Sequence, residues 1–187
     1  MEKLSRNTSL FYKIKNFFFP FYRSKDIKKL FYILEKNEKN IIKNNQVAMF
    51  VGGCVRNFLT NENIDDIDIA SIFFPEKIKE KFKNSEFEVI DTGIDHGSVT
   101  VILNSSKFEI TTLRKDNKTD GRHAEVSFID DWYQDSERRD FTINAIYMDR
   151  RGKIFDPQNG RHDLKKKEIK FIGDPASRIE EDYLRII

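Results

Sequence analysis

Three features are scarce in this sequence, and each scarcity excludes a class of protein. The chain has one cysteine, Cys54, among 187 residues, so it has no internal disulfide, and a lone cysteine is usually a small buried hydrophobe in a reducing cytoplasm. Prolines number only four, no low-complexity linker is present, and a length of 187 residues suits one main domain. No apolar run approaches the roughly 20 residues of a membrane-spanning helix. We therefore expect a cytoplasmic protein without a membrane span.

The basic residues are concentrated towards the N-terminus. Residues 1–45 contain eleven Lys or Arg and four Asp or Glu, whereas the rest of the chain contains 22 and 27. Aromatic and basic residues are interleaved along residues 11–34, a stretch that begins in the basic aromatic N-terminal arm at residues 1–25. Such a segment suits a helix packed on the domain by its Phe and Leu side chains, a contact with an RNA backbone, or a membrane surface. We predict the packed helix. The abundance of Lys, Phe and Asn is typical of an AT-rich genome, which produces basic aromatic stretches without selection, so the composition is weak evidence for binding.

Helical patterns recur along the rest of the chain. Apolar residues at helical spacing predict a helix over residues 26–44. Asp174 and Pro175 stand where the N-cap and the first residue of a final helix belong. Further helices are expected at 54–59, at 75–82 and, capped by Asp135 or Ser136, at 135–145.

Strand and hairpin patterns are mixed with these helices, which predicts an α+β domain around a mixed, partly antiparallel β-sheet flanked by helices. The polar stretch 114–126 is expected to be a loop, and an Asn-Gly turn is expected at Asn159 and Gly160. A hairpin over 145–156 should turn at Gly152. The predicted strands are 46–51, 64–70, the hairpin pair 98–103 and 108–113, and 168–173.

Two carboxylates stand either side of Ile67. If residues 64–70 form a strand, Asp66 and Asp68 share one face while Ile67 and Ile69 point to the other. Two adjacent carboxylates repel each other unless a cation lies between them, and hard oxygen ligands suit Mg²⁺. The alternative for a lone pair of this kind is an ordinary solvated strand face.

Paired glycines precede these carboxylates at the end of an apolar strand. Gly52 and Gly53 join the strand to a helix N-terminus, and such a turn gathers backbone N–H groups that attract phosphate. Neither a P-loop nor a dinucleotide fingerprint is present, since no G-K-[ST] follows. A phosphate-binding turn close to a metal-binding carboxylate pair is what a nucleotidyltransferase needs, although the turn alone also fits a tight chain reversal.

Eight segments occur along the chain in a recognisable order: VGGCVRN, DIDIA, GIDHGSVTV, FEITTLR, TDGRHAEVSFIDDW, ERRDFTINAI, FDPQNGRHDL and IGDPASRIEEDYLRI. In this order they resemble the catalytic head of bacterial CCA-adding tRNA nucleotidyltransferases and of the related poly(A) polymerases, members of the DNA polymerase β-like nucleotidyltransferase superfamily. The resemblance runs from about residue 26 to the last residue. It implies a head domain at 26–173 after the arm at 1–25, and the start of a neck helix at 174–187.

The resemblance implies roles for the residues at matching positions. Asp66 and Asp68 are expected to hold catalytic Mg²⁺. Glu109 is a candidate third catalytic carboxylate, the alternative being a cross-strand ion pair. The residues expected near the triphosphate are Gly52, Gly53 and Arg56.

Two further motifs match the family's nucleotide-binding segments. In RRDFTIN, the resemblance implies that Arg139 approaches phosphate or sugar and that Asp140 accepts from the ribose 2′-hydroxyl, with Asn144 beside them. In EEDYLR, Asp182 and Arg185 are expected to contact the incoming base. A carboxylate can accept from the exocyclic amine of C or A while a guanidinium donates to the adjacent ring acceptor.

A third motif, Asp156 with Gly160, matches the family's flexible element, and a plain Asn-Gly turn is the alternative. One position departs from the family pattern, because Asn57 stands where GGxVRD has Asp. Family members also continue into neck, body and tail domains beyond the last helix, so we expect the head to be the catalytic part of a split enzyme with a separate helical subunit.

The resemblance predicts addition of CMP and AMP to the 3′ end of tRNA, with CTP and ATP as substrates and Mg²⁺ as cofactor. An A-adding enzyme or a poly(A) polymerase shares the same head motifs and remains an alternative. A third possibility is a non-catalytic remnant that binds nucleotide or RNA.

Overall fold

The computed structural model describes residues 2–38, 46–120, 123–181 and 183–186. Short 3-10 helices at Phe21–Arg23, Ile94–His96, Thr142–Asn144 and Tyr183–Ile186 connect its main elements. The α-helices are α1 (Glu2–Phe18), α2 (Lys25–Glu35), α3 (Gly53–Thr60), α4 (Pro75–Phe82), α5 (Trp132–Glu137), α6 (Gly160–Lys166) and α7 (Pro175–Glu181).

The strands of the described residues are β1 (Ala48–Val51), β2 (Ile67–Ser71), β3 (Glu88–Gly93), β4 (Ser98–Leu103), β5 (Ser106–Thr112), β6 (Arg114–Asp120), β7 (His123–Phe128), β8 (Tyr147–Met148) and β9 (Ile154–Phe155). Seven of them form one sheet in the order β3-β4-β5-β2-β1-β8-β9, and β6 pairs with β7 in a separate ribbon. The β2–β5 pair is parallel and the other pairs are antiparallel. The predicted mixed sheet is confirmed.

The two faces of the large sheet carry different residues, because side chains alternate along each strand. The core face receives α2 and α4, whose buried side chains include Phe31 and Ile78. These pack with strand residues such as Phe50, Ile69 and Val101 in the main hydrophobic core.

The opposite surface, called the site face below, holds a smaller apolar cluster. Trp132, at the start of α5, contacts Tyr147 edge to face with ring centroids 5.7 Å apart. The cluster is completed by Met49, Val51, Ala70 and Leu113. Helix α5 therefore begins over β1, β8 and the C-terminal half of β2 on this face.

The N-terminal segments differ from the sequence-based expectation. Helix α2 ends at Glu35, because Lys36 adopts an extended backbone (φ −59°, ψ 130°). The prediction of a helix to residue 44 is therefore wrong for residues 36–38, and residues 39–45 lie outside the described residues. The predicted packing by Phe and Leu side chains is confirmed in α2, where Leu30, Phe31 and Leu34 are buried, but it is wrong for most apolar side chains of residues 10–19. The side chains of Leu10, Phe11, Ile14, Phe17, Phe18 and Phe19 are all more than half exposed.

The predicted polar loop at 114–126 is wrong, because β6 and β7 form an antiparallel ribbon there. Backbone hydrogen bonding builds this ribbon, and its base is closed by the Ile129 N–H, which donates to the Leu113 carbonyl (2.9 Å). Strand β3 was also not predicted. It is an edge strand whose register pairs Val89 with Val101. In both places the usual apolar alternation is too weak to mark a strand.

The expected helix over 135–145 is wrong as well. Helix α5 begins earlier, at Trp132, and its N-cap is Asp131, which accepts from Tyr133 and Gln134 N–H groups (2.8 and 3.2 Å). The chain then turns through the 3-10 helix Thr142–Asn144. The expected strand 168–173 contributes only an isolated bridge between Phe171 and Phe141.

Other predictions are confirmed. The 98–103 and 108–113 segments form the β4–β5 hairpin, and β8 and β9 form the second hairpin. Asp174 caps α7, since its Oδ2 accepts from the Ser177 N–H (2.9 Å). Among the described residues, no helix is long and apolar enough to cross a membrane.

Candidate active site

The site is built around the turn from β1 to α3. Gly52 adopts φ 73° and ψ −138°, a backbone conformation that only glycine adopts without strain. A Cβ atom at Gly52 would lie 3.6 Å from Oδ2 of Asp68. The Asp68 carboxylate therefore lies directly against the turn that opens α3, as the pairing of these two motifs predicted.

Asp68 shares its surroundings with two other carboxylates. The parallel register of β2 and β5 places Asp68 opposite Glu109. Burial raises the pKa of Asp68, and the charges of Glu109 and Asp66 raise it further, while Arg139 acts in the opposite direction. Because β2 begins only at Ile67, the predicted strand start at residue 64 is wrong. Asp66 lies in the exposed segment just before the strand, still within electrostatic reach of Asp68.

The three acidic residues do not form a complete metal cage. Among the residues that the structure describes, no three His, Cys, Asp or Glu side chains are placed so that they could hold a metal ion by themselves. The cluster is instead an open concentration of negative charge next to a turn rich in backbone N–H groups. Such an arrangement leaves coordination positions for oxygens of a ligand.

A chain of hydrogen bonds links α3 to the RRDFTIN motif. Nη1 of Arg56 donates to Oδ1 of Asn144 (2.6 Å). The Asn144 amide donates in turn to Oδ1 and Oδ2 of Asp140 (3.2 and 3.4 Å). Asp140 also accepts from the Phe141 N–H (2.7 Å). The structure thus brings together three of the predicted nucleotide-binding side chains. Two of them, Arg56 and Asn144, are 88 residues apart along the chain.

Asn57 takes part in the same region. Its Oδ1 accepts from Nε of Arg56 (3.2 Å), and its Nδ2 donates to the carbonyl of Asn63 (2.7 Å). The first contact is one that an aspartate would also make. The second requires an amide, and it holds the segment that leads to Asp66. The departure from the family pattern therefore removes a charge and adds an anchor for this segment.

Arg139 lies on the site face, where its contacts were not foreseen. Nη2 donates to Oδ2 of Asp135 (3.3 Å), and Nε donates to the Tyr147 hydroxyl (3.1 Å). The Tyr147 hydroxyl itself donates to Oδ2 of Asp135 (2.7 Å). Asp135 and Tyr147 are both fully buried. The spacing of Asp135 with Arg138 and Arg139, three and four residues on, was the available sequence signal for this cluster.

Asp156 and Gly160 lie behind the RRDFTIN motif. The Asp156 carboxylate accepts from the backbone N–H groups of Gly160 (2.8 Å) and Arg161 (3.0 Å) and so caps α6. A Cβ atom at Gly160 would lie 2.0 Å from the carbonyl oxygen of Thr142. Close backbone packing requires glycine here, and it joins α6 to the 3-10 helix that carries Asn144.

The predicted base-contacting pair is only partly visible. Asp182 lies outside the described residues. Arg185 lies in the 3-10 helix after α7, and its Nη1 donates to the Arg178 carbonyl (2.7 Å). Arg178 in turn donates from Nη2 to the carbonyl of Glu137 (2.7 Å), which attaches this terminal segment to the end of α5.

Cys54 behaves as predicted for a lone cysteine. It is buried, and its Sγ donates to the Val51 carbonyl (3.2 Å). Burial raises the pKa of the thiol to about 12. A protonated, enclosed thiol is a packing residue and not a nucleophile.

Comparison with known proteins identifies the family. The model of the poly A polymerase head domain matches residues 48–170. The chain belongs to this family. The matched segment of the head domain includes the Gly52 turn, the acidic cluster and the RRDFTIN motif, and it ends just before the Phe171 bridge.

The head domain is similar to curated proteins of both eukaryotes and bacteria. It is 46% identical over 147 residues to the mitochondrial CCA tRNA nucleotidyltransferase 1 of Homo sapiens, covering 78% of this chain and 34% of the human protein. It is 46% identical over 142 residues to the CCA-adding enzyme of Lactobacillus delbrueckii subsp. bulgaricus, covering 75% of this chain and 35% of that enzyme. The chain thus spans about a third of the length of these relatives.

Solved structures agree on the fold. The Bacillus stearothermophilus CCA-adding enzyme in complex with CTP superimposes with a TM-score of 0.71 at 33% identity, covering 87% of this chain and 38% of that one. A tRNA nucleotidyltransferase complexed with a primer tRNA and an incoming ATP analogue gives a TM-score of 0.60 at 26% identity, with 74% and 39% covered. The predicted DNA polymerase β-like nucleotidyltransferase fold is confirmed.

Proposed function

We propose that this head domain is a Mg²⁺-dependent nucleotidyltransferase that adds CMP and AMP to the 3′ end of tRNA. The observation that carries the proposal is the position of the Asp68 carboxylate, which lies against the Gly52 turn with Glu109 opposite it. The names of the similar proteins, CCA tRNA nucleotidyltransferase and CCA-adding enzyme, support this choice of reaction. In that reaction the terminal 3′-hydroxyl attacks the α-phosphorus of CTP or ATP, and pyrophosphate leaves.

The acidic cluster fits a divalent cation by its chemistry. Burial and the charges of Glu109 and Asp66 raise the pKa of Asp68, so its ionised form is disfavoured there, and a bound cation would offset that effect. Mg²⁺ usually takes one or two protein carboxylates and completes its shell with water and substrate phosphate. An incomplete, all-oxygen donor set beside an anion-binding turn meets this description.

Asp66 and Asp68 are the residues that would hold the ion, with Glu109 as a third carboxylate. Bound there, Mg²⁺ supplies Lewis-acid stabilisation of negative charge on the attacking and leaving oxygens. The chain itself contributes the rigid part of the site. Because β2 is hydrogen-bonded to β1 on one side and β5 on the other, Asp68 and Glu109 are held at a fixed separation before substrate binds.

The triphosphate is proposed to lie at the start of α3. The first turn of a helix has backbone N–H groups without intrahelical acceptors, and the helix dipole favours an anion there. Gly52 and Gly53 keep side chains away from these groups, since no Cβ atom projects over them. Arg56 lies on the next turn of α3, and its hydrogen bond to Asn144 fixes the orientation of its side chain.

The nucleoside part is proposed to meet the RRDFTIN and EEDYLR motifs. Asp140 would accept from the ribose 2′-hydroxyl, which favours NTPs over dNTPs. Arg139 would meet phosphate or sugar, and its charge already reaches Asp68. Asp182 and Arg185 would pair with the base edge of C or A, and the Asp156–Gly160 segment would adjust their position between the two bases.

The chain matches about a third of the length of its curated relatives. We propose that the head acts on tRNA together with helical neck, body and tail regions of the kind the family has, which contact the tRNA acceptor arm; a polypeptide that carries these regions provides them in the assay. The assay of this proposal measures incorporation of labelled CTP or ATP into tRNA that lacks CCA, with Mg²⁺, for the chain alone and with such a polypeptide. We expect both nucleotides to be incorporated in the complex.

Matched single substitutions sharpen this assay. Asp68→Asn should reduce incorporation by about a thousandfold or more, since it removes a metal-holding carboxylate. Asp65→Asn is the matched control, because it removes the same charge from an exposed position three residues away. It should change incorporation by less than about threefold. Incorporation of ATP alone would indicate an A-adding enzyme or poly(A) polymerase. Nucleotide binding without incorporation under either condition would instead indicate a non-catalytic remnant and contradict the proposal.

A further inference from the structure

We propose that Asp135 is a positioning residue of the nucleotide site and acts through Arg139. This inference rests on the proposed function, because it assigns Asp135 the task of presenting Arg139 to a bound nucleoside triphosphate. Asp135 lies within α5 with no measurable exposure, 0% of its surface being accessible. A carboxylate so deeply buried needs several donors to offset the loss of water.

The donors come from three parts of the fold. Oδ1 accepts from Nε of Arg138 (2.9 Å) and from the backbone N–H of Arg114 (3.1 Å), which lies at the start of β6. Oδ2 accepts from the Tyr147 hydroxyl (2.7 Å) on β8 and from Nη2 of Arg139 (3.3 Å). The Asp135 side chain therefore ties the RRDFTIN motif to the central sheet.

Arg139 is held from several directions by this cluster. Its Nε donates to the Tyr147 hydroxyl (3.1 Å), and its guanidinium carbon lies 5.3 Å from the centroid of the Tyr147 ring. The contacts with Asp135 and Tyr147 use Nε and Nη2, on one edge of the guanidinium, and do not involve Nη1. Arginine can bind a second oxygen-bearing group through the rest of its planar fork.

The position of Arg139 connects this cluster to the acidic residues. Tyr147, which accepts from Arg139, pairs with Val51 across β1 and β8. Val51 directly precedes Gly52, the residue against which the Asp68 carboxylate lies. A triphosphate at the α3 N-terminus would therefore lie on the same part of the site face as the strand pair that holds Arg139. A guanidinium fixed before binding loses less conformational freedom when the anion arrives, which increases affinity.

A double-substitution cycle tests the inference by equilibrium binding of radiolabelled CTP to the full chain in the presence of Mg²⁺. The four proteins are the unsubstituted chain, Asp135→Asn, Arg139→Ala and the double variant. We expect Asp135→Asn to weaken CTP binding about tenfold, as loss of an outer-shell partner does in other binding sites. In the Arg139→Ala background the same change should have no further effect on the dissociation constant.

Two other substitutions separate positioning from folding. Arg138→Gln removes a different arginine from the same carboxylate, so it should lower the melting temperature while leaving CTP affinity within about twofold. Tyr147→Phe removes one hydroxyl from the cluster and should weaken CTP binding less than Asp135→Asn does. Asp135 has only a structural role if Asp135→Asn weakens CTP binding equally in the unsubstituted chain and in Arg139→Ala. The same conclusion follows if Arg138→Gln weakens CTP binding as much as Asp135→Asn does. If the unsubstituted chain binds no CTP either alone or with the helical polypeptide of the incorporation assay, the proposed function is overturned, and this inference with it.

Discussion

The two faces of the sheet are stabilised in different ways. The core face is packed against α2 and α4 by large apolar side chains, with Phe31, Phe50 and Phe108 almost completely buried. The site face combines a small apolar cluster with buried polar groups, among them the fully buried Asp135. Apolar burial tolerates many sequences of suitable volume, whereas a buried polar cluster works only when every group has its partner.

The comparison explains where stability and function are located. On the core face the favourable term is burial of apolar area, which grows with each side chain. On the site face, burial and the charges of Glu109 and Asp66 raise the pKa of Asp68, so the ionised Asp68 carboxylate opposes folding until a cation or substrate is bound. Active sites commonly contain such local conflicts, and the rest of the fold compensates for them.

The largest expected effect comes from the core face. Phe31→Ala should lower the free energy of unfolding by about 3 to 5 kcal/mol, because it leaves a cavity under α2. Tyr32→Ala is the matched control, since the neighbouring Tyr32 side chain is 67% exposed, and it should change stability by less than about 0.5 kcal/mol. Urea denaturation measures both, and similar losses would contradict the assignment of Phe31 to the core.

The next effect concerns the packing behind the site. Gly160→Ala should lower the free energy of unfolding by about 3 kcal/mol, because the new Cβ would overlap the Thr142 carbonyl and force α6 away. CTP affinity should fall as well, since the displaced 3-10 helix carries Asn144. In Gly93→Ala the new Cβ would be 3.6 Å from the Cβ of Ser98, an ordinary contact, so near-wild-type stability is expected by the same denaturation measurement.

The site face should respond with the opposite sign. Asp68→Asn removes one of the repelling carboxylates and should raise the free energy of unfolding by about 1 kcal/mol in the absence of Mg²⁺, while it abolishes incorporation. Chemical denaturation with EDTA present measures the stability change. A loss of stability would mean that Asp68 is a structural ion-pair partner, and the contrast between the faces would then fail.

Acid should weaken a polar contact at the back of the site. Asp163 accepts from Lys170 (2.7 Å) and Thr142 (2.8 Å), which lowers its pKa to about 2 from the ordinary 3.8. Because the folded pKa lies below the unfolded one, its contribution is present above about pH 4 and is lost as the pH falls towards 2. Asp163→Asn should flatten stability against pH in this window, whereas Glu88→Gln on exposed β3 should not. Thermal melts from pH 2 to 7 measure the two slopes.

The smallest effect is expected at the departure from the family pattern. Asn57→Asp strengthens the contact with Arg56 through charge but loses the donor to the Asn63 carbonyl (2.7 Å). These changes oppose each other, so the KM for CTP should change by less than about threefold. Steady-state kinetics of the complex measure it. A gain of tenfold or more would show that Asn57 impairs the site.

Much of this protein was determined by its sequence alone. The apolar spacing of α2, the strand of β1 and the β4–β5 hairpin follow from local periodicity. Gly52 and Asp68 were expected to meet because a glycine turn and a carboxylate strand are each defined within a few residues. The resemblance to CCA-adding enzymes also depends on short segments in a fixed order, and the family match confirmed it.

Only the tertiary structure decided the rest. The β6–β7 ribbon lacks an apolar alternation, so its backbone pairing is not apparent from composition. The links from Arg56 to Asn144 and from Asp135 to Tyr147 join residues that are distant in the chain or lie on different elements. Such contacts arise when the sheet brings β8 beside β1 and places α5 on the site face, because a buried polar group is stabilised by partners that only the folded chain supplies.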